Sequence, residues 1–575
     1  MNEPLNPHYD LAILGSGYAG SILAMIARRF GRSVLLLEHG QHPRVVIGES
    51  STPLSNLLLE DLAHHYNLPF LLPLTTYGPW QRTHPDLACG LKRGFNFFAH
   101  DLTRPATDLA QPAPAVATGR LLVAASPHNE IADTHWYRAH TDLFLVQQAQ
   151  ALGVHYLDHA HLETATETPT GMRLEGHRHG HPISVHASLV LDATGPRGFL
   201  HRALHLGEAA LPNYPHTRAL YSHFSGVSPL SQTFAPPVMD VINGAPYPID
   251  AAAVHHLFDG GWIWVLQFNN GITSAGVAAT AARADELGLA EGEPAWSRLL
   301  ARIPALRQQF AAARPVQPFT YLPQLPFRSA TVSGDHWALL PSAAGFVDPL
   351  LSTGFALNLL GVTRLAKILE QSSNNPEQSS NNPAQSSKTP AQSSTVQAQS
   401  SNIADLHWGA ANLPAQLATY AQQTDDDLLA TARLIAALYR TLGSFPAFRA
   451  LSLLYFAAAS YAETVRRLRK PHLAPGFLLG NHPTFGPEAR TLLERLAPTG
   501  QTRGLTTIPH ASEITAEVLR IIAPIDVAGL SKTPPDAFYP VDAHDLLEAR
   551  SKVEATHEQI LDILNRAGFS TPHTT

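Results

Sequence analysis

Hydrophobic residues near the N-terminus follow the pattern of a strand, a helix and a second strand. Leu11–Leu14 and Val34–Leu37 are short apolar runs of the kind that buried parallel strands show. Between them, Ser21–Arg29 has the composition of a helix. The pattern therefore predicts a βαβ unit at the start of an α/β fold.

The turn between the first strand and the helix carries Gly15, Gly17 and Gly20, spaced as G-x-G-x-x-G, and the second strand ends at Glu38. In a dinucleotide-binding turn the first glycine permits the tight turn, the second lets the backbone approach a pyrophosphate, and the third lets helix and strand pack closely. The helix N-terminus offers free N–H groups to the phosphates, and the acid is spaced to hold a ribose hydroxyl. Because all these parts occur in order, the stretch predicts a bound nucleotide rather than a simple glycine-rich turn.

The rest of the chain divides by pattern. Residues 206–330 are β-rich and lack a phosphate motif, whereas apolar residues recur at three- and four-residue spacing in Leu417–Leu438 and Phe448–Leu468. Polar seven-residue repeats over 371–402 cannot bury a core, which predicts disorder. The predicted organisation is a nucleotide-binding core (1–205, with an inserted β segment at about 70–130, and 331–370), a β-rich substrate-facing domain (206–330), the insertion (371–402) and a C-terminal helical region (403–575).

Composition narrows the class of protein. The chain has 575 residues, 45% hydrophobic and 15% charged, with a net charge of -7 that gives no basic footprint for nucleic acid. A single cysteine, Cys89, excludes an internal disulfide and fits a reducing cytoplasm. No apolar run approaches the roughly 18 residues of a membrane span, and the 31 histidines show no metal-binding spacing. We therefore expect a cytoplasmic protein with no metal and neither nucleic acid nor membrane as partner.

Three later stretches carry a resemblance to a known family. They are the Gly48-Glu49-Ser50 loop that follows Arg44, the aromatic strand Cys89–His100 with Lys92 on it, and the run D-P-L-L-S-T-G at 348–354. Together with the glycine fingerprint and the strand end D-A-T-G at 192–195, they resemble the flavin-dependent halogenases, which belong to the glutathione-reductase-like flavoproteins. The resemblance implies FAD, bound in reduced form, and these cofactor-binding residues: Gly15, Gly17, Gly20, Glu38, Arg44, Gly48, Glu49, Ser50, Asp192, Gly195, Asp348, Pro349 and Gly354.

The same resemblance assigns the chemistry. It implies that the Thr353 and Gly354 backbone amides cradle chloride or bromide and that Lys92 passes the halogen to an aromatic substrate. Without the resemblance, Lys92 reads as an ordinary exposed strand lysine. Trp262 and Trp264 match the family's W-x-W signature beside the substrate, although their alternation alone favours two core tryptophans on one face of a strand. The implied partners are a separate flavin reductase and a small aromatic substrate, free or tethered to a carrier.

At three places the sequence departs from the family's motifs, and these departures leave other substrates and reactions open. Leu351 stands where tryptophan-halogenating members have a glutamate, which favours a phenol, pyrrole or other activated ring over free tryptophan. Leu266 and Gln267 replace the Ile-Pro that ends the W-x-W signature, which leaves an FAD-dependent aromatic monooxygenase as the competing enzyme. Pro341-Ser342 replaces the usual Gly-Asp, so one familiar flavin contact is missing. A flavin-binding protein without catalysis is a further alternative, which the presence of Lys92 and Ser-Thr-Gly disfavours.

Overall fold

The computed structural model describes residues 8–103, 119–212, 214–232, 247–373, 412–497, 509–532 and 538–569. Disorder was predicted for the insertion at 371–402. Only residues 371–373 of the insertion are described, so the rest of this prediction lies outside the described residues. Those first three residues end a helix.

Strands make up two large sheets and two short pairs. In chain order they are β1 (His8–Leu14), β2 (Val34–Leu37), β3 (Cys89–Lys92), β4 (Gly94–Ala99), β5 (Arg120–Ala124), β6 (Asp133–Trp136), β7 (His155–Leu157), β8 (Ala160–Thr168), β9 (Gly171–Arg178), β10 (His181–Asp192), β11 (Thr217–Ser225), β12 (Ala253–Phe258), β13 (Gly261–Gln267), β14 (Ile272–Thr280), β15 (Arg314–Pro315), β16 (Thr320–Leu322), β17 (Phe327–Arg328), β18 (Trp337–Leu339), β19 (Gly345–Phe346) and β20 (Phe538–Tyr539).

Helices pack on both sheets and fill most of the C-terminal part. In chain order they are α1 (Tyr18–Arg29), α2 (Pro53–His65), α3 (Tyr77–Thr83), α4 (Arg138–Ala151), α5 (Phe199–Ala203), α6 (Ala281–Leu287), α7 (Glu293–Ala301), α8 (Pro304–Gln309), α9 (Pro341–Ala344), α10 (Thr353–Ser373), α11 (Leu413–Thr441), α12 (Phe445–Arg467), α13 (Phe485–Leu496), α14 (Ala511–Ile522), α15 (Ala543–Glu548) and α16 (His557–Arg566).

The first sheet has seven strands in the order β7-β2-β1-β10-β9-β8, with β18 paired to β10. The strands β7, β2, β1, β10 and β18 run parallel, so their carboxyl ends meet at one edge of the sheet. There the backbone N–H of Gly15 donates to the Leu37 carbonyl, and the N–H of Ala193 donates to the Leu14 carbonyl. This edge is where the predicted nucleotide-binding turn lies.

The second sheet has nine strands in the order β15-β11-β14-β13-β12-β4-β5-β20, with β16 paired to β11. It therefore combines β4 and β5, from the predicted inserted segment, with the strands of 217–322 and with β20 from the C-terminal region. The region 206–330 is less purely β than expected, because it also contains α6, α7 and α8.

The predicted single strand Cys89–His100 is wrong, because the chain bends at Arg93. Its first half, β3, pairs with β6, whereas β4 enters the nine-stranded sheet. The Arg93 N–H donates to the Ala251 carbonyl, and Gly94 lies so close to the Val123 carbonyl that a side chain there would collide with it. The bend places Lys92 between the two sheets. The predicted inserted β segment also contains a helix, α3.

The C-terminal helices cover the interface between the sheets. Helix α12 packs on α2, α11 and α14, and α11 packs on α10. Their buried faces, which include Leu434, Phe448 and Leu451, join the main hydrophobic core. No helix in the described ranges has the length and apolar character needed to cross a bilayer.

Candidate active site

The glycine fingerprint forms the turn from β1 into α1. Gly15 has φ +93°, and a Cβ there would lie 2.6 Å from the Ala193 carbonyl oxygen, so only glycine fits beneath the end of β10. Gly20 packs against the Gly15 carbonyl. The N-cap of α1 is Gly17, which provides no capping side chain, so the first N–H groups of the helix stay available to an anion.

Glu38 and Arg44 lie together beside this turn. Glu38 Oε2 accepts from the Ser16 hydroxyl at 2.8 Å and from an Arg44 guanidinium nitrogen at 3.2 Å. Burial alone would raise the pKa of Glu38, but the Arg44 guanidinium and the N–H groups of Gly40 and Ser16 lower it below its ordinary value. The carboxylate is therefore charged and remains an acceptor, as the sequence predicted for a ribose-binding acid.

Arg138, the first residue of α4, is a site residue that the sequence analysis missed. Its guanidinium pairs with Asp142 at 2.8 Å and donates to the Gly48 carbonyl at 3.2 Å. A Cβ on Gly17 would lie 3.1 Å from an Arg138 nitrogen, so the guanidinium sits directly over the fingerprint. Both charged side chains are buried. The sequence feature that could have identified Arg138 is an arginine at the first turn of a helix that directly follows a strand.

The Gly48-Glu49-Ser50 loop joins the two sheets. The Glu49 carboxylate lies 2.7 Å from His223 Nε2 on β11, and both side chains are only 2% exposed. Ser50 forms an isolated bridge to His135, and its buried hydroxyl has no hydrogen-bond partner in the described structure. Glu49 thus uses its side chain to hold the loop on the second sheet, which leaves Ser50 and the loop backbone as the groups able to contact a cofactor.

Asp192 is the last residue of β10, and both oxygens of its carboxylate accept hydrogen bonds from the protein. Oδ1 accepts from the Thr194 N–H at 2.8 Å and Oδ2 from the Leu200 N–H at 2.7 Å. Burial raises the pKa of Asp192, which these donors partly offset. Asp192 therefore shapes the turn that presents Gly195, and a Cβ on Gly195 would meet nothing within 4 Å.

Asp348 occupies a comparable place before α10. Oδ1 accepts from the Leu350 N–H at 2.9 Å, and Oδ2 accepts from the Tyr439 hydroxyl at 2.8 Å. The same hydroxyl accepts from Trp262 Nε1 at 3.1 Å. Burial raises the pKa of Asp348 to about 6. The chain Asp348, Tyr439 and Trp262 fixes the segment that begins with Pro349 against α11 and β13.

The start of α10, where the halide site is predicted, has an unusual backbone conformation. Leu351 and Ser352 both have left-handed backbones, with φ 67° and 54°, which is unusual for residues other than glycine. The Tyr455 hydroxyl donates to the Leu351 carbonyl at 2.8 Å and so holds this conformation. A Cβ on Gly354 would meet nothing within 4 Å, so open space lies beside this residue in the first turn of α10.

Lys92 is buried with no exposed surface. Its Nζ donates to the Ser51 carbonyl at 2.6 Å and lies 3.4 Å from the Ser352 hydroxyl oxygen, so the end of β3 contacts the residue that precedes α10. The amine also lies 4.2 Å from the centroid of the Phe95 ring. Burial lowers the pKa of Lys92 to about 7, against the attraction of Asp133. The interpretation of Lys92 as an exposed strand lysine is wrong.

A cavity opens beside this pair of elements. Its empty volume, including the part open to solvent, is about 1450 Å³. Thr353, Phe95 and Asp133 line it on the side of the sheets, and small or aromatic residues of α12, including Tyr455 and Phe456, line it on the other side. The size and the mainly apolar lining suit an aromatic compound.

Trp262 and Trp264 lie on one face of β13, as the alternation predicted, with ring centroids 5.6 Å apart. Both indoles are buried and hydrogen-bonded, Trp264 to Ser274 at 3.3 Å. Neither is among the residues that line the large cavity. The predicted place of the two tryptophans in the substrate pocket therefore stays a prediction that this cavity does not support.

The residues present fit FAD. Open space faces Gly195 and Gly354, the N-terminus of α1 is uncapped, and the buried Ser50 hydroxyl and Arg44 Nε have no hydrogen-bond partner in the described structure. Unpaired buried polar atoms are costly, so their concentration along one edge indicates groups held ready for a ligand. Among the described residues no group of three or more histidine, cysteine or acidic side chains could hold a metal. Fold and site together are those of a dinucleotide-binding protein whose residues accommodate FAD.

Comparison with known proteins gives the family. The sequence profile described as tryptophan halogenase matches residues 99–392, about half of the chain, and the protein belongs to that family. The monodechloroaminopyrrolnitrin halogenase PrnC of Pseudomonas fluorescens is 30% identical over 394 residues, 65% of each chain. The tetracycline 7-halogenase of Kitasatospora aureofaciens is 27% identical over 356 residues, 60% of this chain and 61% of its own. The alignments thus span somewhat less than two thirds of these relatives.

The fold matches a solved halogenase. The crystal structure of PltM in complex with phloroglucinol and FAD superimposes with a TM-score of 0.66 at 21% identity, over 95% of this chain and 96% of that chain. The match extends through the C-terminal helices, which the sequence analysis had compared only loosely with the family.

Proposed function

We propose that the protein is an FAD-dependent halogenase that uses reduced flavin, dioxygen and chloride or bromide to halogenate an electron-rich aromatic ring of the phenol, pyrrole or indole type. The observation that carries this proposal is the buried Lys92 amine beside the start of α10, 3.4 Å from the Ser352 hydroxyl oxygen and 4.2 Å from the centroid of the Phe95 ring, which lines the cavity. The names of PrnC and tetracycline 7-halogenase support halogenation as the reaction class.

The cofactor would be held along the carboxyl edge of the first sheet. The fingerprint residues Gly15, Gly17 and Gly20 would bind its pyrophosphate, with Glu38 and Arg44 at the ribose end. Reduced FAD, when bound, would supply two electrons to dioxygen, and the halide would supply the other two, so that the halide is oxidised to hypohalous acid and the other products are water and oxidised FAD. The Thr353 and Gly354 amides would hold the halide, because the uncapped start of a helix favours an anion.

Lys92 would transfer the halogen. Because burial brings its pKa to about 7, both forms of the amine are accessible near neutral pH. The ammonium can donate a hydrogen bond to hypohalous acid and polarise the halogen, and the neutral amine can accept the halogen as a chloramine or bromamine. Either route delivers an electrophile to a ring in the cavity and keeps free hypohalous acid from escaping.

We assign reduction of the flavin to a separate reductase. The sequence contains one G-x-G-x-x-G fingerprint, at 15–20, which the flavin would use. A second protein would then bind the nicotinamide and pass on reduced FAD. The aromatic substrate would enter either free or attached to a carrier, since the cavity communicates with solvent.

A product assay tests the proposal. The protein is incubated with FAD, a flavin reductase, NADH and a panel of phenols, indoles and pyrroles, with bromide, with chloride or with neither halide, and products are analysed by mass. We expect halogenated products that require both halide and reductase. Hydroxylated products formed without halide would instead make it a monooxygenase. Binding of reduced FAD with no product from any compound would indicate a flavin-binding protein without catalysis.

A further inference from the structure

Asp133 is a buried carboxylate that the chemistry described so far does not use. It lies on β6 directly opposite Lys92 on β3, in an antiparallel register, and is 3% exposed. Oδ1 accepts from Asn56 Nδ2 at 2.6 Å. Oδ2 is buried and has no hydrogen-bond partner in the described structure. A carboxylate with one oxygen anchored and one left without a donor is suited to act on a ligand rather than to stabilise the fold.

The position of Asp133 points to the substrate. It lines the large cavity together with Thr353 and Phe95, whose ring contacts the Lys92 amine. Two other carboxylates line the same cavity. Glu463 is paired with Arg467 on α12 at 2.9 Å, and Asp542 is exposed and caps α15 through the His544 N–H. Leu351, just before Ser-Thr-Gly, carries no proton acceptor.

We propose that Asp133 is the base that removes the proton from the aromatic ring when the halogen is attached, an inference that rests on the proposed halogenase function. The new bond joins the halogen to a ring carbon, and the halogen–oxygen bond of hypohalous acid breaks. The Lys92 ammonium gives a proton to the departing hydroxide, which leaves as water. The C–H electron pair returns to the ring, and its proton passes to Asp133 Oδ2.

The position of Asp133 opposite Lys92 on neighbouring strands offers a way to return both groups to their starting protonation states. After one turnover Asp133 carries the ring proton and Lys92 is a neutral amine, so transfer of that proton across the β3–β6 pair restores both groups. Burial raises the pKa of Asp133 to about 7, and the charge of Lys92 opposes this rise. Burial lowers the pKa of Lys92, so the two opposite shifts bring the proton affinities of the two groups closer together and favour the return transfer. Glu463 and Arg467 on α12, Asn56 on α2, and Tyr247 and Tyr455 are the other groups that interact with the Asp133 carboxylate.

The test compares Asp133→Asn with Asp86→Asn, a control at an exposed residue that does not line the cavity. Halogenation of phenol, indole and pyrrole, each with its ring-deuterated form, is measured at about pH 7.5, where the Lys92 ammonium that the step uses is still present. Loss of a general base predicts a turnover at least ~100-fold lower for Asp133→Asn. It also predicts a ring-deuterium isotope effect well above one, because proton removal becomes rate-limiting. Asp86→Asn and the wild type should show an isotope effect near one.

A second measurement uses the wild type alone, so its outcome does not depend on whether Asp133→Asn folds. Lowering the pH to about 6 protonates a carboxyl group with a pKa of about 7, so the isotope effect of the wild type should rise above one there. If the wild type halogenates while Asp133→Asn keeps its turnover and shows no isotope effect, the role of Asp133 is refuted. An isotope effect in the wild type that does not change with pH refutes it as well. If the wild type halogenates none of the three compounds, the proposed function itself fails.

Discussion

The Lys92 amine lies 3.4 Å from the Ser352 hydroxyl oxygen, although the two residues are 260 positions apart in the chain. The contact joins β3, which pairs with β6, to the left-handed backbone that starts α10. The arrangement brings a titratable amine close to the first turn of α10 and to Phe95, which lines the cavity. This geometry, rather than any one motif, supports halogen transfer.

Removing Lys92 should make stability depend on pH in a defined direction. In Lys92→Met, Asp133 loses its cation, so its pKa, already raised by burial, rises further. A carboxyl group with a raised pKa in the folded state gives stability that is full below its ordinary pKa and is lost as pH rises through the folded value. We expect Lys92→Met to be less stable at about pH 8.5 than at about pH 5.5, by about 3 kcal/mol. Urea unfolding at the two pH values measures this difference.

Replacing Asp133 should make stability depend on pH in the opposite direction. In Asp133→Asn the buried Lys92 loses its carboxylate, so its pKa falls further below the ordinary value. The unfolded state then binds the proton more readily, and stability is lost as pH decreases from the ordinary lysine pKa towards the lowered one. We expect this variant to unfold at lower urea concentration at about pH 6 than at about pH 9. If both variants showed the same pH dependence, the two side chains would not be paired in the folded protein.

Gly354→Ala should separate binding from folding. The added methyl group enters open space at the first turn of α10, and alanine in a helix is favoured by about 0.5–1 kcal/mol over glycine, so the free energy of unfolding should not fall. The same methyl group narrows the proposed halide site. We expect bromide to bind at least tenfold more weakly, equivalent to ~1.4 kcal/mol.

Gly361→Ala, further along the same helix, is the matched control. A Cβ there collides with the Pro341 ring, so this variant should be less stable by about 1–3 kcal/mol. Bromide and FAD titrations, together with urea unfolding, distinguish the two substitutions. Unchanged bromide affinity in Gly354→Ala would move the halide site elsewhere.

Tyr439→Phe should weaken the fold without changing any group placed in the chemistry. The Tyr439 hydroxyl donates to Asp348 and accepts from Trp262, and both partners are buried. Its loss leaves one acceptor and one donor unsatisfied, which costs about 1–3 kcal/mol. Urea unfolding measures the loss. A variant as stable as the wild type would show that the Asp348, Tyr439 and Trp262 chain contributes nothing to stability.

The sequence predicted the parts of the site that depend on local pattern. The βαβ unit, Glu38 and the C-terminal helices all follow from spacing and turn residues, and the structure has them. It did not predict the bend at Arg93, because the contact that causes the bend is with Ala251, far along the chain. Asp133 was missed for the same reason. A buried aspartate has no local signature, and only the pairing of distant strands shows which neighbours it meets.

The central claim is that Lys92 transfers the halogen to the substrate, and a comparison of Lys92→Met with the wild type tests it most directly. Lys367→Met, on the exposed face of α10, is the control. Each protein receives FAD, a flavin reductase, NADH, bromide and the same panel of aromatic compounds, and brominated product and FAD binding are both measured. The account predicts that Lys92→Met binds FAD as the wild type does but forms no brominated product, while Lys367→Met forms as much as the wild type. Brominated product from Lys92→Met at the wild-type rate would contradict it.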